Sequence, residues 1–301
     1  MANDVSFRLG TADDSRTCFA IMRGALQGML QRAGLLAPDA PQPPFEERWL
    51  RAVGLFGHLA ATCSQWWIAE DRDGAAVGYA RSTERDATVE LTEFFVLSHA
   101  RGSGVGRGLL ERSFAPAAAT RRFVIATTEP AAVALYLRFG VSHQTTAIDL
   151  AATPRAVELP AGYEAVPATL EDVLAIEREV LDHGRPQEVA FMLGDRPATL
   201  LRRDGRAVAY AFGPNAYDQC GPVAALDPAD LPAALAQLET AAHAAGVERL
   251  ELAVPLTAGK AVTWLLAERG FRVDPLLSLF LADGPWAKLD RYLPFNPCLF
   301  L

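Results

Sequence analysis

The segment Arg101–Gly108, RGSGVGRG, sets four glycines among eight residues, between a strand-like run, ATVELTEFFVL, and a helix-like run, GLLERSFAPAAA. Glycine takes up positive φ and lets a ligand reach the main chain, at a cost in backbone entropy. A strand that ends in such a loop and restarts as a helix turns loop N–H groups and a helix dipole toward one spot. That arrangement suits an anion, most often phosphate. The chain is thereby restricted to α/β architectures in which a central strand, an anion loop and a helix are consecutive.

Spacing narrows the ligand. A dinucleotide loop needs GxGxxG. Starting at Gly102 and Gly104 puts Arg107 at the third position, and starting at Gly104 and Gly106 puts Leu109 there. The pattern GxxxxGK[ST] fails as well, because no Lys-Ser or Lys-Thr follows these glycines. What remains is Arg-x-x-Gly-x-Gly at the start of a helix, carried by Arg101, Gly104 and Gly106.

That loop resembles the pyrophosphate loop of the GNAT superfamily of N-acetyltransferases. The run EPAAVALYLRFGV resembles the next motif of that family, a helix with a tyrosine followed by a small-residue turn. Recognisable motif spans about residues 88–150. The sequence departs from the family where Glu129 stands for a frequent Asn and Val141 for a frequent Phe. The resemblance implies an α/β (α+β) fold with a mostly antiparallel central sheet flanked by helices, and acetyl-CoA as co-substrate. Pantetheine would lie along Phe94, Phe95 and Val96 as an extra strand, with a main-chain N–H at a bulge near Val96 polarising the thioester. The phosphates would meet Arg101, Gly102, Ser103, Gly104, Val105, Gly106 and Arg107, with Glu129 and Ala132 at the start of the next helix. Tyr136, four residues before Gly140, matches the family's tyrosine, which protonates the leaving thiolate.

A base for the amine is expected on the strand before the loop. Alternation puts Val89, Leu91, Glu93, Phe95 and Leu97 on one face, where an apolar setting raises a carboxylate pKa. Glu93 is the candidate, directly or through water. Glu90, on the other face, is its rival, and a bulge would blur the register. His99 reads as a turn residue.

The second half repeats the order of elements. LYLRFGV ends at Gly140 and LLAERGF at Gly270, 130 residues apart, and aligning Val96 with Val223 gives 127. Residues 1–150 then form a catalytic domain, 151–160 a linker, and 161–301 a second GNAT-like domain. That second domain lacks the machinery. Pro228, Leu231 and Ala233 stand for Arg101, Gly104 and Gly106, Leu266 stands opposite Tyr136, and Asp227 and Asp230 would repel a pyrophosphate. Its expected use is to complete the substrate cleft, to form a homodimer, or both. The first half carries an insertion around APDAPQPPFEERWLRAVGLFGHLA. Trp49, Phe56, Trp66 and Trp67 there form either core or an aromatic wall over the acceptor.

Composition bounds the partners. The net charge of −8, with no basic block, argues against nucleic acid, and mildly favours a cationic amine. Cys18, Cys63, Cys220 and Cys298 are far apart without CxxC spacing, which reads as small buried hydrophobes rather than a disulfide or metal site. The first ten residues, MANDVSFRLG, have no leader pattern, and no apolar run reaches the roughly eighteen residues of a membrane span, so the expected location is the cytoplasm. The leading expectation is acetyl transfer to a small amine, such as an amine-bearing antibiotic or other specialised metabolite. The alternatives are a protein or peptide acetyltransferase and a non-catalytic acyl-CoA-binding module.

Overall fold

The period of two along QWWIAE sends Trp66 into one face of a sheet and Trp67 toward the other. That strand belongs to a computed structural model that describes residues 5–115, 121–295 and 299. The chain forms two compact units, Met1–Val124 with Glu129–Val141, and Ile125–Thr128 with Ser142–Leu301.

The first unit runs β1 (Ser6–Leu9), α1 (Ser15–Arg32), α2 (Phe45–Thr62), β2 (Gln65–Glu70), β3 (Ala76–Arg85), β4 (Thr88–Val96), α3 (Val105–Ser113), the first part of β5 (Arg121–Thr127) and α4 (Pro130–Arg138). α1 starts where Thr11 and Asp14 cap one another: the Thr11 N–H and hydroxyl donate to Asp14 at 2.8 and 3.1 Å. Arg8 holds Asp14 at 2.7 Å. α3 ends at Ser113, short of the expected helix, whose alanines 117–119 lie outside the described residues. β1 to β4 pair antiparallel in order, and β5 joins β4 in parallel.

One face of the insertion packs as core, while Leu50 and Val53 on its other face are exposed. Phe19 of α1 packs against Phe45, Trp49 and Phe56 with ring centroids 5.4, 5.4 and 5.6 Å apart, over Trp66, Ile68 and Tyr79 of the sheet. Trp67 lies on the opposite face, beneath the Arg112 guanidinium.

The second unit runs β6 (Ser142–Ala152), β7 (Tyr163–Pro167), α5 (Leu170–Leu181), α6 (Pro186–Asp195), β8 (Ala198–Arg203), β9 (Arg206–Phe212), β10 (Val223–Ala225), α7 (Leu231–Ala244), β11 (Leu250–Pro255), α8 (Gly259–Thr263), β12 (Arg272–Ala282) and β13 (Tyr292–Leu293). β7–β8–β9–β10–β13 is one antiparallel sheet, and β6 pairs antiparallel with β11 and β12. Segment 153–162 is irregular but tied down: the Arg155 and Val157 N–H groups donate to Glu239 and Thr240 of α7. α6 is a helix that the sequence reading leaves unassigned. Its pattern is a short one, with Pro186 at the first turn and Val189 and Met192 buried. Val223, aligned above with Val96, is the first residue of β10. Its last residue, Ala225, stands 129 positions after Val96 at the end of β4. Helices before Gly140 and Gly270 both stop at a positive φ, 86° and 71°.

Cys18 and Cys220 are buried free thiols, each pushed up to about 12 by burial, and Cys63 is half-buried and also raised by burial. Cys298 lies outside the described residues. Among the described residues, no cluster of His, Cys, Asp and Glu has the geometry of a metal site, and no helix is long and apolar enough to cross a membrane.

Candidate active site

Among the described residues, β4 has an open edge beyond Glu90. It pairs with β3 up to Gly78–Val96, but with β5 only over Thr88–Glu90 against Arg121–Phe123. The Leu97 N–H donates to Val77 on β3 at 2.9 Å. Alternation along an antiparallel strand then turns the N–H groups of Phe95 and Glu93 to β3, and those of Val96 and Phe94 to the open edge. The bulge in β4 is not near Val96. It lies between Glu90 and Glu93, where Leu91 and Thr92 together face Ser82. It breaks the simple alternation through Glu93, and it directly precedes the open stretch.

The four glycines of the loop divide by cause. Gly102 and Gly104 have φ of 79° and 89°, are exposed, and have open space where a Cβ would be. They are the conformational pair. Gly106 and Gly108 are packing glycines. A Cβ on Gly106 would sit 3.1 Å from the Phe94 ring and 3.4 Å from Leu135, and one on Gly108 would overlap the Phe7 ring. The first bond of α3 runs from Gly108 N–H to Gly104 O, so Val105, Gly106 and Arg107 have N–H groups without a helical acceptor. Val105 is buried, and Ser103 donates its hydroxyl back to Ala100 O at 2.6 Å. Arg107 is exposed and paired with Glu111 one turn on.

Arg101 reaches toward Glu129, Nη2 to Oε1 3.4 Å. Arg32, the last residue of α1, holds the other carboxylate oxygen at 2.8 Å and donates to Ser98 Oγ at 3.1 Å. Burial works to raise Glu129, but the Arg32 hydrogen bond and the Arg101 charge hold it below the ordinary carboxylate range. Glu129 directly precedes Pro130, the first residue of α4, and Ala132 is half-buried in its first turn.

Tyr136 of α4 is buried against Phe94, with centroids 5.8 Å apart at 65°. Among the described residues its hydroxyl makes no hydrogen bond, and burial raises its pKa well above that of a free phenol. Glu93 is wholly buried on the α1 side of the sheet, where Tyr79 Oη donates to Oε1 and Arg81 Nη1 to Oε2, both at 2.8 Å. Burial pushes Glu93 upward, against Arg81 and Tyr79. The Arg81 guanidinium lies 3.7 Å over the Trp66 ring. Glu90 is buried between β3 and β5, and His99 is exposed in a short turn after β4. Tyr79, Arg81 and Arg32 are the residues that sequence reasoning passed over. Arg81 sits at a strand position that looks unremarkable until pairing with β4 sets it opposite Glu93.

In the second unit, the turn after β10 is filled by its own carboxylates. Asp227 accepts from Ala229 N–H at 2.8 Å, and buried Asp230 accepts from Tyr163 Oη and Arg203, both at 2.6 Å. Tyr210, in RAVAYAF as Tyr79 is in AAVGYAR, also donates to a buried glutamate, here Glu177 of α5, which pairs with Arg185.

Residues 62–142, which hold β4, the loop and α4, match the acetyltransferase (GNAT) domain family. No curated protein matches the sequence. Among solved structures, a candidate acetyltransferase from Pyrococcus horikoshii has a TM-score of 0.68 at 17% identity, covering 96% of this chain and 92% of its own. A GCN5-related N-acetyltransferase from Sphaerobacter thermophilus has a TM-score of 0.59 at 17% identity, covering 97% and 100%. A tandem GNAT protein from the clavulanic acid biosynthesis pathway has a TM-score of 0.51 at 17% identity, covering 94% and 99%. At these identities the likeness is one of fold: mixed α/β, with largely antiparallel sheets flanked by helices.

Proposed function

We propose that the chain is an acetyl-CoA-dependent N-acetyltransferase that acts on a small amine, with the reaction in the first unit. The observation that carries this is the open edge of β4, with the Phe94 and Val96 N–H groups turned to it, leading straight into the loop of Gly102 and Gly104. An extended pantetheine fits such an edge as an added strand. A pyrophosphate fits the free N–H groups at the start of α3, beside Arg101.

In this reading the amine nitrogen attacks the thioester carbon, the C–S bond breaks, and the thiolate takes the Tyr136 proton. Burial keeps Tyr136 protonated until then. The Val96 N–H stabilises the oxyanion. Glu93 has both oxygens engaged, so it receives the amine's proton through an intervening water rather than by direct contact. The second unit serves as a GNAT-like domain without co-substrate, a reading supported by Asp227 and Asp230 in its loop.

Calorimetric titration with acetyl-CoA, with NADH and ATP as controls, tests the reading. One site per chain, lost in Gly104→Asp, is expected; no binding refutes it. In an amine screen Tyr136→Phe then keeps acetyl-CoA affinity and loses most of kcat, whereas a non-catalytic acyl-CoA binder has no turnover to lose.

A further inference from the structure

Arg32 lies outside the loop and outside the residues matched to the GNAT domain family, yet its side chain ends at the loop's rim. Three side chains meet there: Arg32 and Arg101, two cations, share one carboxylate, Glu129. The cluster is built rather than incidental. Gly28, one turn before Arg32 in the same helix, leaves the space that Ser98 Oγ and the guanidinium occupy, since a Cβ there would sit 2.6 Å from Ser98 Oγ and 3.2 Å from Arg32 Nη1. A mid-helix glycine is disfavoured relative to alanine, because it loses more backbone freedom on folding. That cost is consistent with Arg32 being held against Ser98.

We propose that Arg32 is a phosphate-binding residue for coenzyme A, and that Glu129 is an internal occupant of the same site which the incoming phosphate displaces. The inference rests on the acetyl-CoA reading above. Two guanidiniums with one carboxylate leave a net positive charge at the rim of the loop, and a phosphate oxyanion accepts from two arginines better than a single carboxylate does. Glu129 is therefore a competitor and not a scaffold. Ser98 still orients Arg32 without it, and the turn itself orients Arg101, whose N–H donates to Ser98 O. The pairing of Glu129 with Arg32 and Arg101 is the interaction that ligand has to break.

The test is titration of the full chain with acetyl-CoA at fixed ionic strength, for wild type, Glu129→Gln, Arg32→Ala and the double variant, each checked for an unchanged melting temperature. Glu129→Gln is expected to tighten binding about tenfold and Arg32→Ala to weaken it about tenfold. The gain from Glu129→Gln should shrink in the Arg32→Ala background, because the two act through one contact. Dephospho-coenzyme A assigns the phosphate. An Arg32→Ala effect that vanishes with it places Arg32 on the 3′-phosphate, and one that persists places it on the pyrophosphate. Unchanged or weaker binding by Glu129→Gln, or unchanged binding by Arg32→Ala, overturns the inference while leaving the acetyl-CoA reading intact. Wild type that does not bind acetyl-CoA defeats that reading first, and the inference with it.

Discussion

Glu93→Gln probes the buried cluster at the centre of the first unit. The change preserves volume and removes one charge. Arg81 is completely buried, and among the described residues only Nη1 of its three guanidinium nitrogens has a hydrogen-bond partner, Glu93 Oε2 at 2.8 Å. Its remaining support is aromatic: the stack on Trp66, with the Phe56 and Tyr79 rings farther off. An amide in place of the carboxylate leaves an uncompensated guanidinium in the core, which costs about 3–5 kcal/mol. With a urea dependence of about 2–3 kcal/mol per M, the midpoint should fall by roughly 1–2.5 M. The assay is urea unfolding followed by tryptophan fluorescence, since Trp49, Trp66 and Trp67 all lie in this unit. The double variant Arg81→Leu with Glu93→Leu should recover most of the loss, because removing both charges removes the desolvation penalty. A single Glu93→Gln that shifts the midpoint by less than about 0.3 M would refute the argument, since at that slope under about 1 kcal/mol would be lost. The same variant also tests chemistry: if Glu93 takes the amine's proton through water, kcat falls while acetyl-CoA affinity is retained.

Two further outcomes follow from side-chain geometry. Gly57→Ala, in the interior of α2 with open space at the Cβ position, should stabilise the protein by about 1 kcal/mol, whereas Gly108→Ala, which overlaps Phe7, should destabilise it by about 1–3 kcal/mol; thermal melts of both should move in opposite directions. Asp149 is pushed up to about 6 by burial and by the neighbouring Asp274 and Glu251. A carboxyl whose folded pKa is raised contributes stability that is complete below its unfolded pKa, near 4, and is lost as pH rises through about 6. Asp149→Asn should therefore raise the melting temperature at pH 7–8 relative to wild type, with the advantage gone by about pH 4; an advantage independent of pH would contradict this.

Much of the first unit is legible in the chain itself, because the signals are local. Strand alternation and the positive-φ glycines each depend on a few neighbouring residues, so β4, the loop and the end of α4 stand near where the sequence puts them. The strand–loop–helix order is also enough to set Tyr136 beside the strand that leads into the loop. Other features depended on contacts between distant positions. Whether a loop glycine serves conformation or packing is decided by Phe94, Leu135 and Phe7, and only the fold brings those rings to α3. The bulge lies where pairing of β3 with β4 places it, and it moved the expected irregularity away from Val96. Glu93 reads in sequence as a carboxylate among apolar neighbours. Its engagement by Tyr79 and Arg81 appears only once two strands are in register. The meaning of Glu129 is the clearest case. Next to Pro130 it is a departure from a motif, but a partner 97 positions earlier in the chain makes it one corner of a charged cluster. Local propensity carries no information about such pairs, because their energy exists only after chain folding has brought the two charges together.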